Sequence, residues 1–533
     1  MGLLDIPVEV FQIILSLLPF NELLTISQIC HRCKQMADPW IVRKGRLKVN
    51  SKMLHHKNVI EKLTRNYLAL DIVPESESVL PLLIDSQTPK HLIMNGFLYD
   101  HLFRFYQRYK RWFEQLEFLH VEINDRFVEY FTNHEEDYLL EIPCLKTLQW
   151  AESLLGESRK SIKIIAQNLD SVHFDDSSRY SANLKISSCL KLRRIQCRLG
   201  IFSQCFEHIF CDTSFETIQH IMIVNFVGDQ LSYLNFMNNL QTIWLSIHPA
   251  EISILNNFSK FKNLKKLVIS VMYAEHHERA QLNVTNLFRL SEVLNHVELS
   301  DMNILATLSS ICLERLTVLK LINVNLCDDS SIINIFAPKL QVLSLPLDIL
   351  EKFVIQQNDC LSKLCIQIKK THSTSALKAL LSSFLHNYSS VTQLALKNIS
   401  IFANIDDLPA NITNVRRLAI MGLTMEMKCF ERIATWRALK HLSLLRCTVR
   451  CKNAEKSLVL SNVTSANICA VDFENVHSKK NISSCLFEFS SASEDAIHIE
   501  SEPKYEFIDN FDWANDCSAW WATQFSTLSD KFL

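Results

Sequence analysis

Apolar residues recur along most of the chain in a short fixed pattern, in which one apolar position is followed by others three and five residues later. The last two positions of each triplet alternate with period two, which predicts a short strand with one buried face. The clearest copies are Leu116-Leu119-Val121, Leu145-Leu148-Trp150, Leu240-Ile243-Leu245, Leu264-Leu267-Ile269, Leu316-Leu319-Leu321, Leu340-Leu343-Leu345, Leu361-Leu364-Ile366 and Leu439-Leu442-Leu444. Weaker copies start at Arg65, Pro89, Leu169, Leu192, Ile218, Leu294, Val391, Val415 and Ile468. Together they give 17 starts between residues 65 and 468, about 25 residues apart.

A steady period of this length predicts a repeat protein. Helical patterns fill some of the intervals, for example Ala376 to Leu385. Each repeat is therefore expected to be strand, turn and helix, and neighbouring repeats would stack to bury one continuous core. We assign residues 47–500 to an α/β solenoid, a horseshoe with a parallel concave sheet and outer helices. Residues 501–533 would cap the last repeat or lie across the concave face, and the sequence leaves both open.

The first 40 residues predict three short helices with a large apolar surface. Pro7 suits the first position of a helix that continues to Leu18. Its spacing puts Phe11, Ile14, Leu15 and Leu18 on one face and Val10, Ile13 and Leu17 on a second. After Pro19, Asn21 is predicted to cap a second helix, and a third element would close at Asp38-Pro39-Trp40. Three such helices bury little on their own, so a partner is expected to cover them.

The same residues resemble the F-box family over a segment that we assign to residues 1–46. The resemblance is carried by Ile6-Pro7-Val8-Glu9-Val10, Ile14, Leu17-Leu18-Pro19, Leu23-Leu24, Ile29-Cys30-His31-Arg32 and Trp40. The chain departs from the family pattern at Ile6, where Leu is usual, and at His31, which is inserted before Arg32. F-boxes dock on the Skp-type adaptor of cullin-based ubiquitin ligases. By resemblance, the adaptor-facing residues would be Ile6, Pro7, Leu17, Leu18, Leu24, Ile29 and Cys30.

The repeats resemble leucine-rich repeats in their period, and Cys447 stands where that family places Asn or Cys. An F-box followed by such repeats resembles the F-box proteins whose solenoids hold the target. The resemblance implies a substrate-recognition adaptor of a Skp–cullin–F-box ubiquitin ligase, with no catalytic residue and no cofactor of its own. Two alternatives stay open: a leucine-rich-repeat scaffold with no ubiquitin link, and a ligase with its own catalytic cysteine.

Composition narrows the function classes further. The chain has only seven glycines, and no two are close enough for a P-loop, a dinucleotide-binding loop or a nucleophile elbow. With 55 basic and 57 acidic residues, the net charge is close to zero and favours binding to neither nucleic acid nor membrane. The uncharged stretch from Gln230 to Ala250 is too polar to span a bilayer. Seventeen cysteines, an odd number, favour a reducing compartment, so we expect the cytoplasm or the nucleus.

Basic residues collect at the predicted concave positions of the repeats from 192 to 439. They are Arg193, Arg194, Arg198, Lys265, Lys266, Lys320, Lys363, Lys397, Arg416, Arg417 and Lys440, against one acid, Glu298. We take Arg193, Arg194, Lys265, Lys266, Lys320, Lys363, Arg416, Arg417 and Lys440 as candidate substrate-binding residues. Arginine clusters suit carboxylates and phosphates, so the target would be acidic or phosphorylated. The alternative is that these are ordinary solvated charges on a repeat face.

Other groupings of polar residues favour structural roles. Cys30 and Cys33 form a C-x-x-C with no second pair at zinc spacing. Cys205, His208 and Cys211 could share a metal ion, but repeat cores commonly use Cys and this favours a core role. We therefore expect no metal. The run from Arg104 to Trp112 interleaves cations and aromatics, which fits an outer helix better than a nucleic-acid groove.

Overall fold

A computed structural model describes the greater part of the chain. The described residues are 7–49, 52, 66–76, 78–83, 87–123, 137–152, 161–176, 184–197, 209–211, 215–226, 234, 236–247, 261–271, 281–283, 293–305, 310–327, 332–356, 358–368, 374–398, 404–450, 458–469, 471–474, 487–488 and 497–500. They fall into two compact units with a boundary between Leu240 and Gln241. The predicted tail from 501, Ile6, Arg198, Cys205 and His208 lie outside the described residues.

Three helices open the first unit. They are α1 (Val8–Leu17), α2 (Phe20–Ser27) and α3 (His31–Lys44). Pro19, not Asn21, is the N-cap of α2, so the predicted Asn21 cap is wrong. The third helix continues through Pro39 and ends one turn later than predicted. Pro39 lacks only its own N–H, and the packing of Ala37 and Ile41 into the helical core holds the helix through it.

The main sheet of the first unit is wholly parallel, and its strands lie in sequence order. Strands are numbered in chain order over the described residues. Those of this sheet are β1 (Arg46–Val49), β2 (Ala69–Ile72), β3 (His91–Phe97), β4 (Phe118–Ile123), β6 (Thr147–Glu152), β8 (Ser171–Asp176), β10 (Arg194–Cys197) and β12 (His220–Phe226). Each strand pairs with the next in parallel. Sequential parallel pairing is the arrangement of a solenoid.

The second unit repeats this arrangement. Its main sheet contains β13 (Thr242–Ile247), β14 (Lys266–Val271), β16 (His296–Ser300), β19 (Val318–Ile322), β22 (Val342–Pro346), β24 (Lys363–Ile368), β25 (Gln393–Asn398), β27 (Arg417–Met421), β29 (His441–Leu445), β32 (Ser465–Cys469) and β35 (Ile497–Glu500). All of the pairings are again parallel and sequential. The predicted class, helices followed by a leucine-rich-repeat type of parallel solenoid, is confirmed.

The apolar triplets form the core face of these sheets. In the repeat at 264, Leu264, Leu267 and Ile269 are all buried, and the other strong triplets are buried in the same way. Two weak starts were misplaced. The register of β2 on β3 puts the first at Tyr67 instead of Arg65. The register of β29 on β32 puts the last at Val463 instead of Ile468, because Leu442 faces Ala466 and Leu444 faces Ile468.

The layer behind the main sheets differs from the prediction of one helix in every repeat. Helices do occur: α4 (Tyr99–Arg108), α5 (Lys110–Glu114), α6 (Leu347–Leu350), α7 (Thr374–Asn387) and α8 (Met427–Ala434). The run from Arg104 to Trp112 lies in α4 and α5, with Phe105, Tyr106, Tyr109 and Trp112 buried, so its interpretation as an outer helix is confirmed.

Many repeats instead carry a short second strand in this layer. In the first unit these strands are β5 (Asp137–Glu141), β7 (Ser161–Ile165), β9 (Leu184–Ser187) and β11 (Phe210–Cys211). In the second they are β15 (Gln281–Asn283), β17 (Asn303–Leu305), β18 (Ser310–Cys312), β20 (Asn325–Leu326), β21 (Ile333–Phe336), β23 (Phe353–Gln356), β26 (Asn404–Ile405), β28 (Thr424–Glu426), β30 (Thr448–Arg450), β31 (Leu458–Val459), β33 (Asp472–Glu474) and β34 (Phe487–Glu488). Stretches too short for a stable helix still satisfy their backbone groups by strand pairing with the neighbouring repeat.

A left-handed residue directly follows four main strands of the second unit and turns the chain toward the second layer. Asp301, Asn323, Gly422 and Arg446 have φ angles of 60°, 50°, 66° and 50°. Backbone bonds tie successive turns together, with Asp301 N–H donating to Ile322 O at 2.9 Å and Gly422 N–H to Leu445 O at 2.9 Å. Only one of the four residues is Gly. The bonds between successive turns therefore hold the other three in the left-handed backbone conformation, which residues with side chains rarely adopt.

Candidate functional site

The N-terminal helices have one buried and one exposed apolar face. Phe11 and Leu15 of α1 pack with Leu23 of α2 and with Cys33, Ala37 and Ile41 of α3. On the opposite side of α1, Val10, Ile13 and Leu17 face outward, and Leu17 is 78% exposed. Ile29, after α2, is exposed as well. Exposed apolar side chains grouped on one helix typically mark an interaction surface.

Hydrogen bonds from α3 fix the position of α1. Trp40 Nε1 donates to Gln12 Oε1 at 2.6 Å. Lys44 Nζ donates to the carbonyl oxygens of Ser16 and Leu18 at 2.7 and 2.8 Å. These carbonyls belong to the end of α1, where helix oxygens lack intrahelical donors and a cation is favourable. The exposed face of α1 is therefore presented by a braced helix.

The predicted adaptor-facing residues divide into two groups. Pro7, Leu17 and Ile29 are exposed. Leu18, Leu24 and Cys30 are half-buried against the helical core, so they support the surface more than they form it. Cys30 is also the N-cap of α3, where its sulfur accepts the N–H of Cys33 at 3.4 Å, and this hydrogen bond lowers the pKa of the Cys30 thiol.

Val10 and Ile13 are exposed beside Leu17 but were absent from the predicted set. The signal was present in the sequence, because these residues form the second apolar face of the first helix. We call Val10, Ile13 and Leu17 the exposed helix face.

Basic residues also occur on the open face of the second unit's main sheet, the face away from the core, and directly before some of its strands. Lys266, Lys363 and Arg417 begin strands β14, β24 and β27, and Lys397 lies on the same face of β25. Lys265, Arg416 and Lys440 directly precede β14, β27 and β29, and all three are exposed. We call these seven residues the basic strip. Among the described residues on this face, Glu298 is the one acid from β14 to β29.

Lys320 does not belong to the strip. It was predicted as a substrate contact, but it is 6% exposed and lies 3.6 Å from Glu298 Oε2. The strand register places Lys320 directly beside Glu298, which is 2% exposed. Two buried opposite charges neutralise each other, so Lys320 offers no charge to a ligand.

Electrostatic effects within the strip are consistent with an excess of positive charge. Burial and then the charge of Arg417 lower the pKa of Lys363. The same two causes, in the same order, lower the pKa of His441 on β29. The charge of Arg417 therefore acts on groups of two other strands, β24 and β29.

Arg193 and Arg194 lie in the first unit, apart from the strip. Arg193 Nε is 3.4 Å from Asp170 Oδ1, and Arg194 Nε is 4.0 Å from Asp170 Oδ2. On the same edge of the sheet, Lys90 and Lys146 contact Glu117 at 2.7 and 2.6 Å, and these bonds lower the pKa of Glu117 against the opposing effect of burial. The sequence indicated the arginines but not their acidic partners, which precede neighbouring strands.

The described residues contain no cluster of His, Cys, Asp and Glu that could hold a metal ion. Burial raises the pKa of Cys429 to about 12 and that of Cys447 to about 11, so both thiols stay protonated at neutral pH. Cys447 instead donates to Ile420 O at 3.2 Å inside the core. No helix among the described residues is long and apolar enough to cross a membrane.

The N-terminal segment matches a known family. The F-box domain model aligns with residues 3–40. The first three helices are therefore an F-box. No curated protein sequence matches the chain. Among solved structures, an internalin (inlF) from Listeria monocytogenes str. 4b F2365 is similar, with 12% identity and a TM-score of 0.21, covering 57% of this chain and 81% of that chain.

Proposed function

We propose that this chain is a substrate-recognition adaptor of a Skp–cullin–F-box ubiquitin ligase. The observation that carries the proposal is the F-box with its exposed helix face, whose apolar side chains would be buried when a partner binds. F-box domains generally bind a Skp-type adaptor and, through it, a cullin. F-boxes and leucine-rich-repeat folds are generally binding modules, so the chain would act by proximity, raising the effective concentration of a target beside a separate enzyme.

Adaptor binding by the F-box is tested by co-purification with a Skp-type adaptor. Leu17→Asp places a charge on the exposed helix face, and because Leu17 is 78% exposed the substitution leaves the helical core intact. We expect at least a tenfold loss of affinity, since an apolar anchor of an interface can be worth about 2 kcal/mol or more. Leu190→Asp is the matched control, because Leu190 is 68% exposed but lies outside the F-box.

The proposal would be contradicted if the Leu17→Asp variant still bound the adaptor, or if the unaltered chain did not bind it. The second result would leave a leucine-rich-repeat binding protein whose N-terminal helices cap the solenoid. Comparable thermal unfolding of the two variants would show that neither is misfolded. The proposed compartment is the cytoplasm or the nucleus, where such ligases meet their targets.

We further propose that the basic strip contributes to target binding and favours an acidic or phosphorylated protein. Its support is the group of cations on, or just before, the four consecutive strands β24, β25, β27 and β29, with Glu298 already neutralised by Lys320. Arg416→Glu combined with Arg417→Glu reverses two exposed charges and should weaken target capture by at least tenfold. Target capture is measured by ubiquitin transfer in the reconstituted ligase, and full transfer with this double variant would speak against the strip.

A further inference from the structure

A groove with charged residues in its lining crosses the main sheet of the first unit at the amino ends of its strands. It has a volume of about 870 Å³, and its lining comes from five consecutive strands and the residues just before them, β3, β4, β6, β8 and β10. Four inter-strand spacings of about 4.8 Å make it roughly 19 Å long, the length of about six residues of extended chain. All of its lining residues belong to the first unit.

The groove has two positive centres of similar design. In the first, Glu117 lies between Lys90 and Lys146, with N–O distances of 2.7 and 2.6 Å. In the second, Asp170 contacts Arg193 and Arg194, which both come from the start of β10, and Lys191 Nζ donates to Asn168 Oδ1 at 2.7 Å. The five cations and two carboxylates of the lining leave an excess of three positive charges.

The cations are more accessible than the carboxylates that they contact. Lys90, Lys146 and Arg193 are each more than half exposed, whereas Glu117 and Asp170 are 25% and 34% exposed. An ammonium has three N–H donors and a guanidinium five, so each cation can bind its carboxylate and still donate toward the groove. Both distances to Asp170, 3.4 and 4.0 Å, exceed those of a close charge-assisted hydrogen bond, so the arginines can take a second anion.

The spacing of the two centres sets a spacing for the ligand. Glu117 precedes β4 and Asp170 precedes β8, and β6 lies between these strands, so the centres are two strand spacings apart, about 9.6 Å. In a polyproline II helix, side chains three residues apart share a face and are separated by about 9.3 Å. In a β-strand, residues on the same face are only about 6.7 Å apart for i and i+2.

We propose that this groove binds an extended acidic segment of a protein, in polyproline II conformation, with two carboxylate side chains three residues apart. One carboxylate is held by Lys90 and Lys146, and the other by Arg193, Arg194 and Lys191. This inference deepens the proposed function, on which it rests for the expectation that the ligand is a protein target. It gives that target a readable pattern, acid-x-x-acid, at a place distinct from the basic strip.

The test is fluorescence anisotropy with the full chain and labelled ten-residue Pro-rich peptides. One peptide carries Glu at positions 4 and 7, a second carries Glu at positions 4 and 6, and a third carries phosphoserine in place of the Glu at position 7. We expect the first to bind about tenfold more tightly than the second, because only its carboxylates reach both centres. Equal binding of the first two, or binding of the phosphoserine peptide alone, would overturn the proposal.

Charge-reversed variants locate the site. Arg193→Glu with Arg194→Glu should lower the affinity for the first peptide by at least tenfold. Arg104→Glu with Arg111→Glu makes the same change in net charge at exposed positions of α4 and α5, and should leave binding unchanged. Loss of peptide binding in this control would place the peptide outside the groove. The same conclusion would follow if Arg416→Glu with Arg417→Glu abolished binding while Arg193→Glu with Arg194→Glu did not.

A gain-of-affinity variant guards against a variant that merely fails to fold. Asp170→Asn removes the carboxylate that occupies the two arginines and should tighten binding of the first peptide about threefold. Unchanged or weaker binding would overturn the proposed role of the arginines. Adaptor co-purification serves as a separate readout. A chain that binds the peptide but not the adaptor would contradict the proposed function and support the groove. A chain that binds the adaptor but not the peptide would support the proposed function and contradict the groove.

Discussion

At the scale of single residues, Asn358 shows how a polar side chain buried in the solenoid can stabilise it. Asn358 is buried and uses its whole amide: Nδ2 donates to Ala337 O at 2.6 Å and to Leu340 O at 3.0 Å, and Oδ1 accepts from the N–H groups of Cys360 and Leu361 at 3.0 and 2.7 Å. It therefore joins two successive repeats through their backbones. A buried amide with four satisfied bonds fixes the register of repeats in a way that apolar contacts alone do not.

Asp407 is a residue whose ionisation should contribute to stability. It accepts bonds from Lys378 at 2.7 Å and from Arg432 at 3.1 Å, and Lys428 is 3.2 Å away. Burial alone would raise the pKa of Asp407, but these three cations outweigh burial and hold the pKa well below its usual range. A depressed folded-state pKa gives stability that is present above the unfolded value near 4 and is lost as the pH falls through and below it.

Asp407→Asn should therefore lower the free energy of unfolding at pH 7 by about 1–3 kcal/mol, because three cations lose their shared partner. The difference from the unaltered chain should shrink as the pH falls below 4. Thermal unfolding followed from pH 3 to pH 8 measures both effects. Glu431→Gln, an exposed acid on the same helix as Arg432, is the control. A difference that stays constant across this range would show that Asp407 contributes through packing and not through charge.

Residue roles were the part of the site that the sequence predicted least well. Lys320 sits at a predicted surface position, yet Glu298 comes beside it only because two strands 22 residues apart in sequence pair in register. The same holds for Arg193 and Asp170, whose contact depends on adjacent repeats. Period-two patterns tell which face of a strand a residue lies on, but a charge's partner is set by the neighbouring strand.

At the scale of elements, the bracing of α1 by α3 should govern adaptor binding. Lys44→Met keeps the length and apolar stem of the side chain but removes the ammonium that binds the Ser16 and Leu18 carbonyls. We expect adaptor affinity to fall about threefold to tenfold, because the exposed helix face is then less rigidly presented. Surface plasmon resonance with immobilised adaptor measures the change. Lys34→Met, at an exposed position of the same helix, should bind normally, and an equal loss in both variants would refute the bracing role.

Elements were predicted well where apolar periodicity was strong and poorly where it was short. The strong triplets and α7 are where the pattern placed them, because a row of buried leucines admits one register. The second strands, such as β17 with three residues and β20 with two, carry too few positions to show a period. They form because the previous repeat offers a strand to pair with, which is information that no local window contains.

At the scale of the whole molecule, repeat architecture predicts that damage stays local. Trp436 is fully buried in the second unit, and its Nε1 donates to Pro409 O at 2.8 Å. Trp436→Ala should destabilise its surroundings by about 3–5 kcal/mol, whereas adaptor binding at the F-box should stay within twofold, since each repeat contacts only its neighbours. Differential scanning calorimetry and adaptor titration on the same sample measure the two quantities. A parallel loss of adaptor affinity would show cooperative coupling along the whole solenoid.

The exposed helix face has a consequence for how the chain persists before assembly. Val10, Ile13 and Leu17 expose apolar surface to water, and in the absence of a partner this surface can be buried against a second copy of the chain. Unassembled chains should therefore aggregate or be removed by chaperones and proteases, and soluble yield should rise in proportion to co-expressed adaptor. The amount of this protein in a cell would then be set by the supply of its partner as much as by its own synthesis.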